Sequence, residues 1–338
     1  MLKKKSGYVV AVVGATGAVG TEMIAVLEER KFPVIRLVPL ASARSAGGTV
    51  TFQGTEVAIE VLTKDSFVGV DIALFSAGAD LSREFAPIAV KAGAVVIDNS
   101  AAWRMTPEVP LVVPEVNAHD LQWHKGIIAN PNCSTIQMVV ALKPLHDEVR
   151  IKRIVVTTFQ SVSGTGKDAM DELMTECQDL LSFKSASPKV YPYQIAFNLL
   201  PHIGSFNDGG ACSEEVKIVQ ETRKILETPA LRVTATTVRV PVLRCHSEAI
   251  NVELDRPLKP NEARAVLAGM PGVLVYDDPS KKLYPMPLDA TGKDEVYIGR
   301  VREDESIANG LNLWVVSDNL RKGAALNAVQ IAECLVKG

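Results

Sequence analysis

The chain has 338 residues, 47% of them hydrophobic, which is long for one domain and sufficient for two with separate cores. A net charge of −3, from 36 basic and 39 acidic residues spread along the chain, leaves no basic stripe for nucleic acid. No apolar run reaches the ~18 residues of a membrane span, and the five scattered cysteines lack zinc-ligand spacing, so we expect no metal site and free thiols in a reducing, cytoplasmic setting.

The first stretch, "MLKKKSGYVVAVVGATGAVG", opens basic and then apolar, in the manner of a secretory signal. The apolar run passes directly into a glycine pattern, so we assign it to the fold. "YVVAVVG" (Tyr8–Gly14) is a continuous apolar run, as expected of a strand buried on both faces. Met23, Ile24, Val26 and Leu27 then recur at helical spacing. Further strands are expected at "VIRLVPLAS", "DIALFSA" (Asp71–Ala77) and "AVVIDNS" (Ala94–Ser100), with the helix "SREFAPIAVKAG" between the last two. Strands alternating with helices predict an α/β, doubly wound parallel sheet.

"GATGAVG" places Gly14, Gly17 and Gly20 between the first strand and the first helix. The spacing is a variant of the dinucleotide fingerprint. Glycines allow the tight turn and close backbone approach, and helix N-terminal N–H groups hold pyrophosphate. The competing reading is a glycine turn with no ligand. The second strand runs into "LASARSAGG", which carries no carboxylate for the ribose hydroxyls of NAD. Ser42, Arg44 and Ser45 stand there instead, and an arginine suits the 2′-phosphate of NADP.

In "NPNCSTIQMVVAL" (Asn130–Leu142), a breaker cluster precedes helical spacing, so a helix is expected from about Ser134, capped by Asn132 or Ser134. Cys133 then sits at the positive end of a helix, which favours a thiolate. Free cysteine is also among the most buried residue types, so a core role competes.

From about Lys152 the texture changes. "RIVVTTFQSVSG" reads as a strand with a glycine-bearing loop, Asp168–Leu181 as a helix and Ser182–Gly210 as a long irregular segment. "SEEVKIVQETRKIL" is helical, while "RVTATTVRVPVL", "SEAINVELDRPL", "EVYIGRVRED" and "LNLWVVSD" are β-like, predicting a second, α+β domain with a mixed sheet. "RKGAALNAVQIAECLVKG" is an amphipathic helix. Arg239 and His246 are separated by an odd number of positions, which puts them on opposite faces of an unbroken strand. We therefore expect a loop or bulge between Pro241 and Ser247.

Four stretches, "GATGAVG", "ASARSAG", "IDNSAAWR" and "NPNCSTIQ", together resemble the bacterial aspartate-semialdehyde dehydrogenases. "FQSVSGTGK", "SEEVKIVQETRKIL" and "VRVPVLRCHSE" continue the resemblance in the same order over essentially the whole chain. It implies NADPH-dependent reduction of L-aspartyl-4-phosphate to the semialdehyde and phosphate, in the aspartate route to lysine, threonine and methionine. It further implies a homodimer built through the second domain. The Rossmann-like cofactor domain would comprise 1–129 and 319–338, the C-terminal helix returning to it, and the catalytic and dimerisation domain 130–318.

The resemblance also implies roles. Cys133 would be the nucleophile that forms a thioester, His246 the general acid/base, and Gln160 the residue orienting the acyl group. Arg239 would hold the substrate carboxylate, Glu214 its amino group, and Arg104 with Lys217 the phosphate. Gly14, Thr16, Gly17, Ala18 and Val19, with Ser42, Arg44, Ser45, Ser163, Gly164 and Asn319, would contact the cofactor. The family often reads "DNSSAFR" where this chain has Ala101 and Trp103, and often carries lysine where this chain has Gly48.

The chemistry asks for such a set. A thioester divides one hard reduction into two steps, histidine titrates in the range needed for proton handling, and the charged substrate needs arginines and a carboxylate. Taken singly, the residues have simpler explanations. Glu214 and Lys217 lie three apart on a helix and could be a solvated ion pair, Arg104 could be a surface arginine, and a lone histidine is more often structural. An N-acetyl-glutamyl-phosphate reductase-like enzyme shares the cysteine mechanism but handles an acylated amine, against which Glu214 argues. A glyceraldehyde-3-phosphate dehydrogenase shares the thioester but fits the second-domain stretches poorly. A non-catalytic NADP-binding redox sensor gives no reason for the arginines, Lys217 and Gln160.

Overall fold

The computed structural model describes residue 2 and residues 4–337. The chain divides into two compact units, Met1–Asn132 with Ala324–Gly338, and Cys133–Gly323.

The first unit contains β1 (Tyr8–Val13), α1 (Ala18–Glu29), β2 (Val34–Ala41), β3 (Thr49–Phe52), β4 (Thr55–Ala58), β5 (Glu60–Val61), β6 (Ile72–Phe75), α2 (Ala79–Lys91), β7 (Val95–Asp98), α3 (Pro114–Asn117) and β8 (Ile127–Ala129). Six strands form one sheet in the order β5-β2-β1-β6-β7-β8, parallel throughout. Both faces are covered, which is why these strands are apolar without alternation. Val10, Val12, Ile72, Leu74 and Ile97 pack on one face with Met23 and Leu27 of α1 and with Val329 and Ile331 near the C-terminus. Ala11, Val13, Phe75 and Val96 pack on the other with Phe85, Ala86 and Ala89 of α2. The strand order reverses at β1, so the crevice at the carboxyl ends of β1 and β6 is where an open α/β sheet takes a ligand. The short β3–β4 hairpin, turning at Gln53 and Gly54, is a departure from the expected elements: its residues are few and mostly exposed.

The second unit contains α4 (Cys133–Val149), β9 (Ile151–Gln160), α5 (Lys167–Leu181), α6 (Ser213–Ile225), β10 (Arg232–Arg239), β11 (His246–Leu254), α7 (Pro260–Ala268), β12 (Val273–Val275), α8 (Pro287–Ala290), β13 (Val296–Asp304) and β14 (Gly310–Ser317). Its sheet runs β10-β9-β11-β14-β13-β12 and is mixed, parallel at its two outer pairs and antiparallel between. Helix α4 packs across β9, β11, β13 and β14, flanked by α6 and α7. Residues Ser182–Gly210 contain no helix or long strand, yet they are held in place. The buried carboxylates of Glu172 and Glu176 accept the backbone N–H groups of Lys189, Val190 and Tyr191 and of Ile195 and Ala196.

Helix α9 (Leu326–Lys337) belongs to the first unit. The units meet along the chain at Asn132/Cys133 and Gly323/Ala324, a few residues beyond the expected 129/130 and 318/319. Asn130 stays with the first unit through its N–H to Asp98 O (2.8 Å) and its amide to Ala324 O (3.3 Å). Asp318 stays with the second through Arg244 Nε and Gly292 N, both 2.7 Å.

Candidate active site

Helix α4 begins at Cys133 itself, so Ser134 lies inside its first turn and is not the cap anticipated. The half-buried Cys133 therefore stands where backbone N–H groups converge at the positive end of a helix. Gly323 explains part of its setting. A Cβ added there would come within 2.9 Å of Cys133 Cβ, so only a residue without a side chain lets the backbone pass the thiol.

One turn along α4, the fully buried Gln137 donates from Nε2 to His246 O (3.4 Å) and accepts at Oε1 from Ser317 Oγ (3.0 Å). His246 and Ser317 are paired across β11 and β14, so Gln137 ties the helix carrying Cys133 to the strand ends carrying His246. The sheet register gathers the remaining groups at the same edge. Gln160 and Arg239 are paired at the ends of parallel β9 and β10, and β11 starts at His246 beside the end of β9. The strand breaks over residues 240–245, with Cys245 at φ +74°, which frees Arg239 and His246 from the opposite-face constraint.

Arg239 is buried and donates from Nη1 to Ser161 O (2.6 Å), leaving Nε without a partner. Gln160 Nε2 donates to Glu214 Oε1 (3.1 Å), and Lys217 Nζ donates to Glu214 Oε2 (3.3 Å). Glu214 is only 6% exposed, so the Glu214–Lys217 contact is not the solvated surface pair its spacing allowed. Gly164 forms the floor: a Cβ there would lie 3.0 Å from Arg239 Nη1 and 3.2 Å from His246 Nε2. The His246 ring is fully buried, and Nε2 has no partner. Burial, and then the Arg239 charge, hold its pKa well below the usual histidine value, so the ring is neutral at physiological pH.

In the first unit, Gly14 has φ +85°, and a Cβ there would lie 2.3 Å from Ser76 O, the residue after β6. A Cβ on Gly20 would lie 2.0 Å from Gly14 O, so the start of α1 packs directly on the loop. Thr16 and Gly17 are exposed, and Ala18 and Val19 half-buried, around this helix start. After β2, Ser45 N donates to Ser42 O (2.9 Å) in a turn that leaves Arg44 exposed. Arg104, after β7, is buried by contrast, its Nε on Asn130 O (3.0 Å) and Nη2 on Asn99 O (2.7 Å). It is thus not the surface arginine that its position alone allowed. Within the second unit the structure brings together Gln160, Glu214 and Lys217, and also Ser163, Gly164, Arg239, His246 and Asn319. Sequence reading missed Gln137, whose helical register with Cys133 was a usable signal, and Ser161 and Gly323, which only the folded chain reveals.

Residues 9–124 match the family described as semialdehyde dehydrogenase, NAD binding domain, and residues 142–322 the semialdehyde dehydrogenase, dimerisation domain. The chain is 55% identical over 336 residues to the aspartate-semialdehyde dehydrogenase of Aquifex aeolicus, covering 98% of each. It is 56% identical over 329 residues to that of Legionella pneumophila, covering 96% of this chain and 95% of the relative. Among solved structures, aspartate semialdehyde dehydrogenase II of Vibrio cholerae complexed with ASA superposes with a TM-score of 0.96 at 49% identity, over 98% of this chain and 99% of that one. The enzyme of Candida albicans, solved with NADP, superposes with a TM-score of 0.76 at 26% identity, over 98% of both chains. With both of its units matched and about half of its residues shared with these enzymes along nearly their full length, the chain belongs to the aspartate-semialdehyde dehydrogenase family.

Proposed function

We propose that the chain catalyses NADPH-dependent reduction of L-aspartyl-4-phosphate to L-aspartate 4-semialdehyde and phosphate, in the aspartate route to lysine, threonine and methionine. The observation that carries this reading is the set gathered at the ends of β9, β10 and β11: buried Arg239, Gln160 and His246, with buried Glu214 and half-buried Lys217 from α6, on a unit whose first residue is Cys133. A carboxylate, an ammonium and an acyl group each find a partner of the right charge there. The N-acetylated alternative leaves Glu214 without a cationic group of substrate to meet.

In this reading the Cys133 thiolate attacks the acyl phosphate, forming a C–S bond as the C–O bond to phosphate breaks. Gln160 orients the acyl group, Arg239 holds the α-carboxylate and Glu214 the ammonium, and Arg104 and Lys217 hold the phosphoryl group. The cofactor, when bound, supplies hydride to the thioester carbonyl, and His246 serves as acid/base at that oxygen. Contacts to NADP are assigned to Gly14, Thr16, Gly17, Ala18, Val19, Ser42, Arg44 and Ser45, and to Ser163, Gly164 and Asn319. The second unit carries the chemistry and builds a homodimer, for which the match to a dimerisation domain is the support. The five free thiols favour the cytoplasm. No helix among the described residues is long and apolar enough to cross a membrane.

The test is oxidation of the semialdehyde followed at the nicotinamide absorbance. Turnover should require both NADP and inorganic phosphate, and a rate indifferent to phosphate would overturn the reaction assigned. Arg44 decides cofactor choice. Arg44→Ala should weaken NADP binding by ~10- to 100-fold, the scale of a charge-assisted contact of ~1.5–3 kcal/mol, and leave NAD affinity nearly unchanged. Titrating both cofactors against both proteins measures this; equal losses would mean that Arg44 shapes the loop without reading the 2′-phosphate.

A further inference from the structure

The side chain of Asn319 is 3% exposed and is hydrogen-bonded to Ser161, Ser163 and the backbone of Cys245. Its orientation follows from one contact. Cys245 N lies 2.9 Å from Oδ1, and a backbone N–H only donates, so this atom is the oxygen. The amide nitrogen Nδ2 is thereby turned to Ser163 Oγ, 3.0 Å away, and donates to it. Ser163 Oγ lies 3.0 Å from Ser161 Oγ, and Ser161 Oγ lies 3.1 Å from Asn319 Oδ1 and 3.2 Å from His246 Nδ1. Asn319 therefore holds both Ser161, which contacts the ring at Nδ1, and Cys245, which precedes His246 in the chain.

The last link fixes the ring. Ser161 N donates to His246 Nδ1 at 3.1 Å. Whichever acceptor the Ser161 hydroxyl serves, Nδ1 already receives a proton it cannot return, so it must keep its lone pair. A neutral ring has one N–H, which then sits on Nε2, the atom that is buried, unpartnered and next to the Arg239 guanidinium and Gly164. We propose that Asn319 is a positioning residue for His246, holding it through Ser161, Ser163 and Cys245 with Nδ1 as acceptor and the proton on Nε2.

This rests on the proposed reaction only in its consequence. The ring meets the substrate as a donor, aimed at the acyl oxygen that gains charge when hydride arrives. No net proton is needed for that service: hydride adds to the thioester carbon, the oxygen takes the charge, and collapse restores the carbonyl and expels the thiolate. Arg239, the charged side chain that acts on the ring, favours the same neutral form.

The test separates this from the reaction itself. Long-range ¹⁵N–¹H correlation on histidine-labelled protein reads the tautomer without any turnover, with His246→Asn identifying the signal. The wild-type ring should be protonated at Nε2 alone, and Asn319→Ala should give a mixture of tautomers. In the reductive assay at saturating NADPH, Asn319→Ala should lower kcat by ~10-fold or more, a loss beyond any weakening of the cofactor contact assigned to Asn319, which fluorescence titration of NADPH reads separately. Ser163→Ala, a milder cut in the same chain, should lower kcat by ~2- to 10-fold, the scale of one neutral hydrogen bond. A wild-type ring protonated on Nδ1 would overturn the proposal. So would an unchanged tautomer in Asn319→Ala, or a loss confined to NADPH affinity.

Discussion

Cys133→Ala protein should bind NADPH as the wild type does and lose turnover by roughly 10⁴-fold or more, the scale seen when a covalent nucleophile is removed. The argument begins with placement. Cys133 is the first residue of α4, and the backbone at Gly323 passes close enough to its Cβ to exclude any side chain there. A thiol at a helix N-terminus is biased toward the thiolate, the form that attacks an acyl phosphate. Cys212 and Cys245 offer no substitute: both are buried, and burial pushes the Cys245 thiol up to about 12. Cys133→Ser should also be nearly inactive, because an alkoxide is far harder to form than a thiolate at neutral pH. The measurements are steady-state rates, with NADPH titration as the control for folding. Cys133→Ala protein that kept most of its activity would remove the thioester from the mechanism.

Arg239→Leu should raise the KM for semialdehyde by ~10- to 100-fold, the scale of losing a charge-assisted bond worth ~1.5–3 kcal/mol. Arg104→Leu should raise the KM for phosphate by a similar factor and leave semialdehyde affinity close to wild type. The two arginines are both buried but held differently. Arg239 spends Nη1 on Ser161 O and keeps an unpartnered Nε. Arg104 is anchored on the carbonyls of Asn130 and Asn99. Because Arg239 also braces the Ser161 turn, its loss should lower kcat too, whereas Arg104→Leu should act mainly on KM. Varying each substrate at saturating levels of the other separates the effects. If both variants weakened phosphate and semialdehyde alike, the division of the site between carboxylate and phosphate would be wrong.

Much of this protein could be read along the chain, and the reason is local. A strand buried on both faces has to be apolar without alternation, so β1, β6 and β7 announce themselves. The turn after β1 needs φ +85° at Gly14, so a glycine stands there. The absence of a carboxylate after β2 and the presence of Arg44 are likewise visible without coordinates, as is the breaker cluster that sets Cys133 at a helix start. Even the break between Arg239 and His246 followed from counting positions along a strand, although the turn uses the positive φ of Cys245 as well as Pro241.

What the linear chain left undecided depends on distance in space. Glu214 and Lys217 look like a surface pair until Gln160, from a strand far away in sequence, meets Glu214 and buries it. Asn319 looks like one more polar residue after a strand; its role emerges only where Ser161 and Ser163 from one segment and Cys245 from another consume its amide. Gly323 has no signature of its own, and only the approach of Cys133 shows why a side chain is forbidden there. Periodicity and turn chemistry act between neighbours in sequence, so they specify elements and their ends. The protonated nitrogen of a histidine is set by donors that tertiary packing brings to it, and no local pattern encodes them.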